Sequence, residues 1–272
     1  MNAEPATTAA GPVGSGLRRC PALHTVGGYF RTVFDGGQMS SAVFAKAVKN
    51  LVSAAEINFN RLTGREFIPV HPDLLNIETS SSCNLKCRFC AYEKKQSPKM
   101  VMKDGFFADV IGQSIGLGYR RFALTPCTGD IFMDHHLFNK LAILERNPAV
   151  ASYEFFTNFT IPDRDDIERL LQLDKLSHMT ISIYGHDADS FRAITKSTDK
   201  VYRRLIANLN TLHDRLSARK FALEIGFRST RDAPRTPSTD LLQALECFAQ
   251  AGIKVRTSQV YNNWGGYVTA AA

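Results

Sequence analysis

Short apolar runs alternate along the chain with longer stretches of helical spacing. Phe44, Val48, Leu51 and Ala55 recur at intervals of four, three and four, which puts them on one face of a helix from Ser40 to Asn58. Pro69 and Pro72 then break the pattern. Strands are expected at 74–79, 121–125, 152–157, 178–184, 221–227 and 254–260. Between them helical spacing predicts Asp104 to Leu117, closed by Gly118 as C-cap, Leu137 to Glu145, stopped before Pro148, and Asp163 to Leu173, with an acidic first turn that suits the helix dipole. A long helix carries Val201, Leu205, Leu209, Leu212 and Leu216 on one stripe. A last one carries Leu241, Leu245 and Phe248 and ends at Gly252. Six strand–helix alternations, the last without a clear helix, imply an α/β fold with a parallel sheet and right-handed crossovers. Periodicity leaves an open sheet and an incomplete barrel both standing. In either, ligands gather at the carboxyl ends of the strands.

Residues 1–38 read as a disordered tail rich in Ala, Gly, Pro and Thr, 39–73 as an N-terminal helical extension, 74–264 as the core and 265–272 as a short tail. The tail lacks a basic segment followed by an apolar one, and no stretch approaches the roughly 20 apolar residues that span a bilayer. A cytoplasmic location is expected. The 272 residues are 44% hydrophobic and 22% charged, which suits a globular core. The net charge of +7 comes from 33 basic and 26 acidic residues. Local concentrations lie at Lys86, Arg88, Lys94, Lys95, Lys99 and Lys103, and at Arg228, Arg231 and Arg235. Such a surplus attracts nucleic acid or phosphorylated ligands, but no helix or loop shows a dense basic run, so a solvated surface remains the simpler account.

Six cysteines occur, three of them within eight residues, in a chain too long and too unevenly spaced for a disulfide framework. Cys83, Cys87 and Cys90 follow the first strand in the pattern CxxxCxxC. Three thiolates on a tight loop can hold three corners of an iron–sulfur cubane, because soft sulfur stabilises iron in both oxidation states. With no fourth cysteine nearby, one iron stays open to a non-protein ligand, the mark of a reactive centre. The competing reading is structural zinc, which takes four tetrahedral ligands; His71 and His135, the nearest histidines, do not fit the usual paired spacing.

This motif, with Phe89 before its last cysteine, resembles that of the radical S-adenosylmethionine (radical SAM) superfamily. The resemblance implies a partial (β/α)6 TIM-type barrel. It also implies a 4Fe–4S cluster on Cys83, Cys87 and Cys90 whose open iron chelates S-adenosylmethionine, and reductive cleavage to methionine and a 5′-deoxyadenosyl radical that abstracts a hydrogen atom from a substrate. Phe89 is among the expected cofactor contacts. Thr128-Gly129-Asp130-Ile131 is similar to the family's Gly-Gly-Glu-Pro segment, which contacts the cofactor's amino group, with Asp130 one methylene shorter than Glu. Thr157-Asn158-Phe159 is similar to Thr-Asn-Gly, where the simpler account is a helix-capping Asn. Ile181-Ser182-Ile183-Tyr184-Gly185 is similar to Ser-x-Asp-Gly, with Ser182 bonding the cofactor and Tyr184 replacing Asp. Arg228, with Arg192 as rival, is the candidate grip on the cofactor's carboxylate, which a guanidinium matches in bidentate fashion.

Cys127, beside that segment, is a candidate hydrogen-atom donor, although a free cysteine usually behaves as a small buried hydrophobe. Tyr261 to Gly266, with Trp264 as a possible substrate shelter, resembles the junction before a SPASM or twitch extension; no cysteines follow, so a single cluster is expected. Residues 91–103 are polar and basic and are expected to form a lid over the site. The expected partners are a small-metabolite or peptide substrate and an electron donor such as flavodoxin or ferredoxin. RNA as substrate, supported by charge alone, and a non-catalytic electron-transfer or sensor protein are the alternatives.

Overall fold

The computed structural model describes residues 41–64, 74–94, 96–124, 128–228 and 238–258. Six strands form one parallel sheet: β1 (Leu74–Asn76), β2 (Arg121–Ala123), β3 (Ser152–Thr157), β4 (Leu176–Tyr184), β5 (Ala222–Arg228) and β6 (Lys254–Ser258). They lie in sequential order, and β1 and β6 do not pair with each other. The sheet is therefore an open, partial TIM-type barrel. This resolves the alternative that periodicity left standing: each crossover returns to the adjacent edge, and six strands stop short of the eight that close a TIM barrel.

The helices are α1 (Ser41–Leu62), α2 (Asp104–Gly116), α3 (Leu137–Arg146), α4 (Arg164–Leu171), α5 (Ala188–Thr195), α6 (Asp199–Asp214) and α7 (Asp240–Gln250). Two of them replace the single long helix expected after β4. α5 has its own start, a capping box in which Asp187 accepts the Ser190 N–H, and its own stop, Lys196 in the left-handed region at φ 51°. Leu216 lies in a 3-10 turn beyond α6 rather than on its stripe. β1 covers only half of the expected 74–79 run. α1 extends past the expected Asn58 to Leu62, and Val48 and Leu51 on its apolar face are exposed.

Alternation decides the two faces of the sheet. Met179, Ile181 and Ile183 of β4 are buried toward the helices, as are Leu223, Ile225 and Phe227 of β5 and Tyr153 and Phe155 of β3. Register puts Phe155 beside Met179 and Ile181 beside Ile225, so these rows form one apolar layer with Leu205, Leu209, Leu241 and Phe248 of the helices. The concave face carries Glu154, Phe156, His178, Thr180, Ser182, Tyr184, Glu224, Gly226 and Arg228. It is largely polar and leads upward to the loops after each strand.

Among the described residues no helix is long and apolar enough to cross a membrane. The tail 1–38, Cys127, Arg231, Arg235, Trp264 and the junction at 261–266 lie outside the described residues.

Candidate functional site

The cysteine loop leaves β1 and returns to α2, and both of its ends are tied down. Ser81 N–H donates to the Met100 carbonyl at 2.9 Å and Met102 N–H to the Thr79 carbonyl at 2.8 Å. The base of the expected lid, 91–103, is thereby stitched to the strand it follows. Inside the loop, burial alternates: Leu85, Cys87 and Phe89 are buried, while Lys86 and Arg88 are exposed. The Lys86 and Arg88 amides donate to the Thr195 and Ile194 carbonyls at 2.9 Å each, so the C-terminal end of α5 holds the loop from behind. Cys90 N–H donates to the Cys87 carbonyl at 2.9 Å, and this turn keeps the two cysteines on one side. The Cys83 N–H donates to the Tyr92 hydroxyl at 3.1 Å, closing the loop on itself.

The sulfur atoms themselves accept hydrogen bonds. Leu85 N–H points to Cys83 Sγ at 3.4 Å, Tyr92 N–H to Cys90 Sγ at 3.4 Å, and Asn158 Nδ2 to Cys83 Sγ at 3.8 Å. Donors aimed at sulfur favour thiolate over thiol. Against them, burial first and the neighbouring Asp130 charge second push the Cys83 thiol up to about 12. A thiolate there needs a compensating positive centre, which a bound metal supplies while displacing the proton. Among the described residues no three His, Cys, Asp or Glu side chains close on one point to hold a single metal ion. A cubane makes a different demand, because each thiolate ligates its own iron. Three thiol groups on one short loop, with N–H···S bonds at Cys83 and Cys90, fit such a cluster.

The turns after β2 and β3 meet this loop. Gly129 sits so close to it that a Cβ would lie 2.3 Å from the Ser80 carbonyl oxygen and 2.8 Å from that of Ser82; only glycine permits the approach. Asp130 N–H donates to the Ser82 carbonyl at 2.7 Å. Its carboxylate is buried and accepts from Phe132 N–H, from the Thr157 hydroxyl, and from Asn158 N–H at 2.7 Å. Burial raises its pKa above the ordinary carboxylate range and those donors oppose the rise. Asn158 caps no helix: Asp163 performs that task for α4 through a capping box. Instead its side chain donates to Asn84 Oδ1 at 3.0 Å and its Oδ1 accepts from Thr160 Oγ1, which in turn accepts from Asn84 Nδ2 at 2.8 Å. The turn after β3 is thus wired directly to the residue that follows Cys83.

The end of β4 covers the other side. Phe89 packs on Tyr184 with ring centroids 4.9 Å apart. Burial raises the Tyr184 hydroxyl pKa far above its ordinary value; the charge of Cys87 adds to the rise, while Arg228 and a bond with Ser182 oppose it. Tyr184 therefore stands among the cysteine loop, Ser182 and Arg228, with Arg228 its register partner on β5. Gly185, at φ +78°, makes the sharp turn into α5, where a Cβ would lie 2.6 Å from the Phe191 nitrogen. Gly129, Asp130 and Asn158 thus adjoin the cysteine loop, while Ser182 and Arg228 adjoin Tyr184, which packs on Phe89 of that loop. Arg192 does neither: on α5 it pairs with Asp189 and, at 3.1 Å, with Asp199. The sequence marked Tyr184 only as a replacement for Asp and gave no role to the polar concave row below it, His178 and Thr180, which bond to each other at 3.1 Å. The signal was present in HMTISIY, whose polar and apolar residues alternate strictly.

A family model for the radical SAM superfamily matches residues 77–232. No curated protein matches the chain in sequence. Among solved structures, Streptococcus suis SuiB bound to precursor peptide SuiA aligns with 14% identity, covering 89% of this chain and 49% of that one, at a TM-score of 0.56. Native anSMEcpe with bound AdoMet and Cp18Cys peptide aligns with 16% identity over 68% of this chain and 50% of that one, at a TM-score of 0.49. The chain therefore spans about half the length of these structures.

Proposed function

The chain belongs to the radical SAM superfamily, and from that premise we propose that it cleaves S-adenosylmethionine reductively at a 4Fe–4S cluster held by Cys83, Cys87 and Cys90 and directs the radical to a peptide or small-metabolite substrate. The observation that carries the reading is the single short loop bearing three thiol groups, two of them on backbone N–H donors, against a turn that only Gly129 allows. When bound, the cluster supplies one electron and an open iron for the cofactor's amino and carboxylate groups. The chain's own residues orient that cofactor. Arg228, at the mouth of the concave face, offers a cation for the carboxylate, and Ser182 offers a hydroxyl one turn of the pleat below. Asp130 holds the Asn158 turn in place, and Phe89 on Tyr184 walls off water from the buried side. Cys127, two residues before Gly129 in the sequence, is read as a hydrogen-atom donor. A peptide is favoured as substrate because SuiB, which shares the fold, is seen with a precursor peptide.

Anaerobic reconstitution followed by iron and sulfide analysis, then dithionite and S-adenosylmethionine, tests the proposal. The expected result is 5′-deoxyadenosine detected by mass spectrometry, abolished in Cys83→Ala, Cys87→Ala and Cys90→Ala. A fully loaded cluster that yields no 5′-deoxyadenosine would point to an electron-transfer or sensor role instead, and zinc in a complete protein shell would overturn both.

A further inference from the structure

Tyr153 and Phe155 of β3 are buried toward the helices, whereas Phe156 lies on the concave face and is 44% exposed. Glu154 stands on the same face two residues earlier, half-buried, and among the described residues no ion pair or hydrogen bond engages its carboxylate. Glu224 on β5 differs: Lys254 approaches it at 3.4 Å and Arg256 at 3.0 Å, so its charge is balanced. Register sets the neighbours of the unbalanced acid. Glu154 pairs with His178 and Phe156 with Thr180, so the four side chains stand roughly 5 Å apart across the strands and roughly 7 Å apart along them. His178 and Thr180 bond to each other at 3.1 Å, which leaves Glu154 as the group of the four still wanting a partner. Small residues flank the set: Ala123 beside Glu154 on β2, Ala222 beside His178 on β5, and Gly226 beside Ser182 one pleat nearer the mouth. Their short or absent side chains leave room on both sides. Ser182 follows Thr180 on the same face of β4, so the set lies directly beneath the residue that offers its hydroxyl to the cofactor.

We propose that Glu154 and Phe156 form a recognition site for a cationic side chain of the substrate, an ammonium or guanidinium carried on an aliphatic stem. The inference rests on the reading above that the concave face receives a substrate, and it adds the class of group that this face selects. The acid and the ring make complementary demands. A carboxylate drawn out of bulk water is stabilised by charge-assisted bonds from N–H donors. An aromatic face attracts a cation held within about 6 Å of its centre. An aliphatic stem packs on the same ring while its charged head reaches the acid. A neutral apolar group would satisfy the ring but leave the carboxylate desolvated without a partner. An anionic group would meet like charge at short range. Among peptide side chains, lysine and arginine answer both demands. Held there, such a side chain places its own residue beside Ser182 and the cofactor. The site recognises and orients; no bond forms or breaks at Glu154 or Phe156.

The test uses the full chain with its cluster loaded and oxidised, in the presence of S-adenosylmethionine. The probes are acetyl-Gly-X-Gly-amide peptides in which X is lysine, arginine, norleucine or glutamate, and binding is read by ligand-observed NMR titration. The wild type is expected to bind the lysine and arginine peptides about tenfold or more tightly than the norleucine and glutamate peptides. Glu154→Gln keeps the size of the side chain, removes its charge and is expected to erase this preference. Phe156→Leu keeps an apolar contact without the ring and is expected to reduce the preference by about threefold. Glu168→Gln, on α4 where the acid pairs with Arg215 at 2.8 Å, behaves as wild type and so separates a local site from overall charge. Equal binding of the lysine and norleucine peptides to the wild type, binding of none of the four, or a preference that survives Glu154→Gln overturns the inference. Loss of S-adenosylmethionine affinity in Glu154→Gln also overturns it, because the acid would then serve the cofactor. Absence of 5′-deoxyadenosine from the reduced wild type sinks the catalytic reading separately, since the peptide preference is measured at equilibrium without turnover.

Discussion

Asn158 donates its backbone N–H to Asp130 Oδ2 at 2.7 Å, and this bond joins the turn after β2 to the turn after β3. The same carboxylate accepts from Phe132 N–H at 3.0 Å and from the Thr157 hydroxyl. Asp130→Ala strands these buried donors and is expected to cost about 3–5 kcal/mol, with iron retention falling in parallel. Asp130→Asn keeps one acceptor oxygen and should lose less. Chemical denaturation and iron analysis measure both; an alanine variant as stable as wild type would show that Asp130 does not hold the turn.

Asn158 also reaches Cys83 Sγ at 3.8 Å. A donor on a ligating sulfur stabilises the more negative, reduced state of a cluster. Asn158→Ala is therefore expected to retain iron but to lower the cluster's midpoint potential, read by redox titration. A potential equal to that of the wild type would argue against the contact.

The Phe89–Tyr184 pair offers a graded test. Tyr184→Phe preserves the ring contact and removes the hydroxyl, for an expected loss under about 2 kcal/mol. Tyr184→Ala removes the ring from a partly buried site and is expected to cost up to about 3 kcal/mol, with the cysteine loop losing iron faster on exposure to chelator. Equal chelation rates in the two variants would mean that the ring does not brace the loop.

Lys140, far from the cysteines, is buried with its Nζ 2.9 Å from Asp104 Oδ1 and 2.8 Å from Asp134 Oδ2. Removing it leaves the buried Asp134 charge unbalanced, so Lys140→Ala is expected to cost about 3–5 kcal/mol. The Lys140 hydrogen bond, ahead of other causes, holds Asp104 below its ordinary 3.8. A carboxyl depressed in the folded state stabilises at pH above its unfolded value and loses that contribution as pH falls through the lower folded value. Because Asp104 is partly exposed, the effect is modest. Urea midpoints followed downward from about pH 4 should fall in the wild type, and this component should be smaller in Lys140→Ala.

Local spacing made several features readable in advance. Cys83, Cys87 and Cys90 lie within eight residues, so their grouping needs no tertiary contact. The strict alternation in β4 and β5 announced strands with one apolar face, and the order of six strand–helix units announced a parallel sheet. The same local reading merged α5 and α6, because Lys196 leaves helical geometry in the left-handed region without a glycine to signal it. It also left Asn158 between a cofactor contact and a helix cap, since a capping Asn and a loop-bridging Asn look alike when their partners are distant in sequence.

What the amino-acid order determined alone was therefore the grouping of the three cysteines, the alternation of elements and which side chains face the core. Only tertiary structure decided that the barrel stays open, that Asn158 reaches Cys83 across 75 residues, and that Tyr184 braces Phe89. Periodicity records each residue's neighbours on its own element. Contacts between elements depend instead on sheet register, twist and loop closure, which no single segment carries.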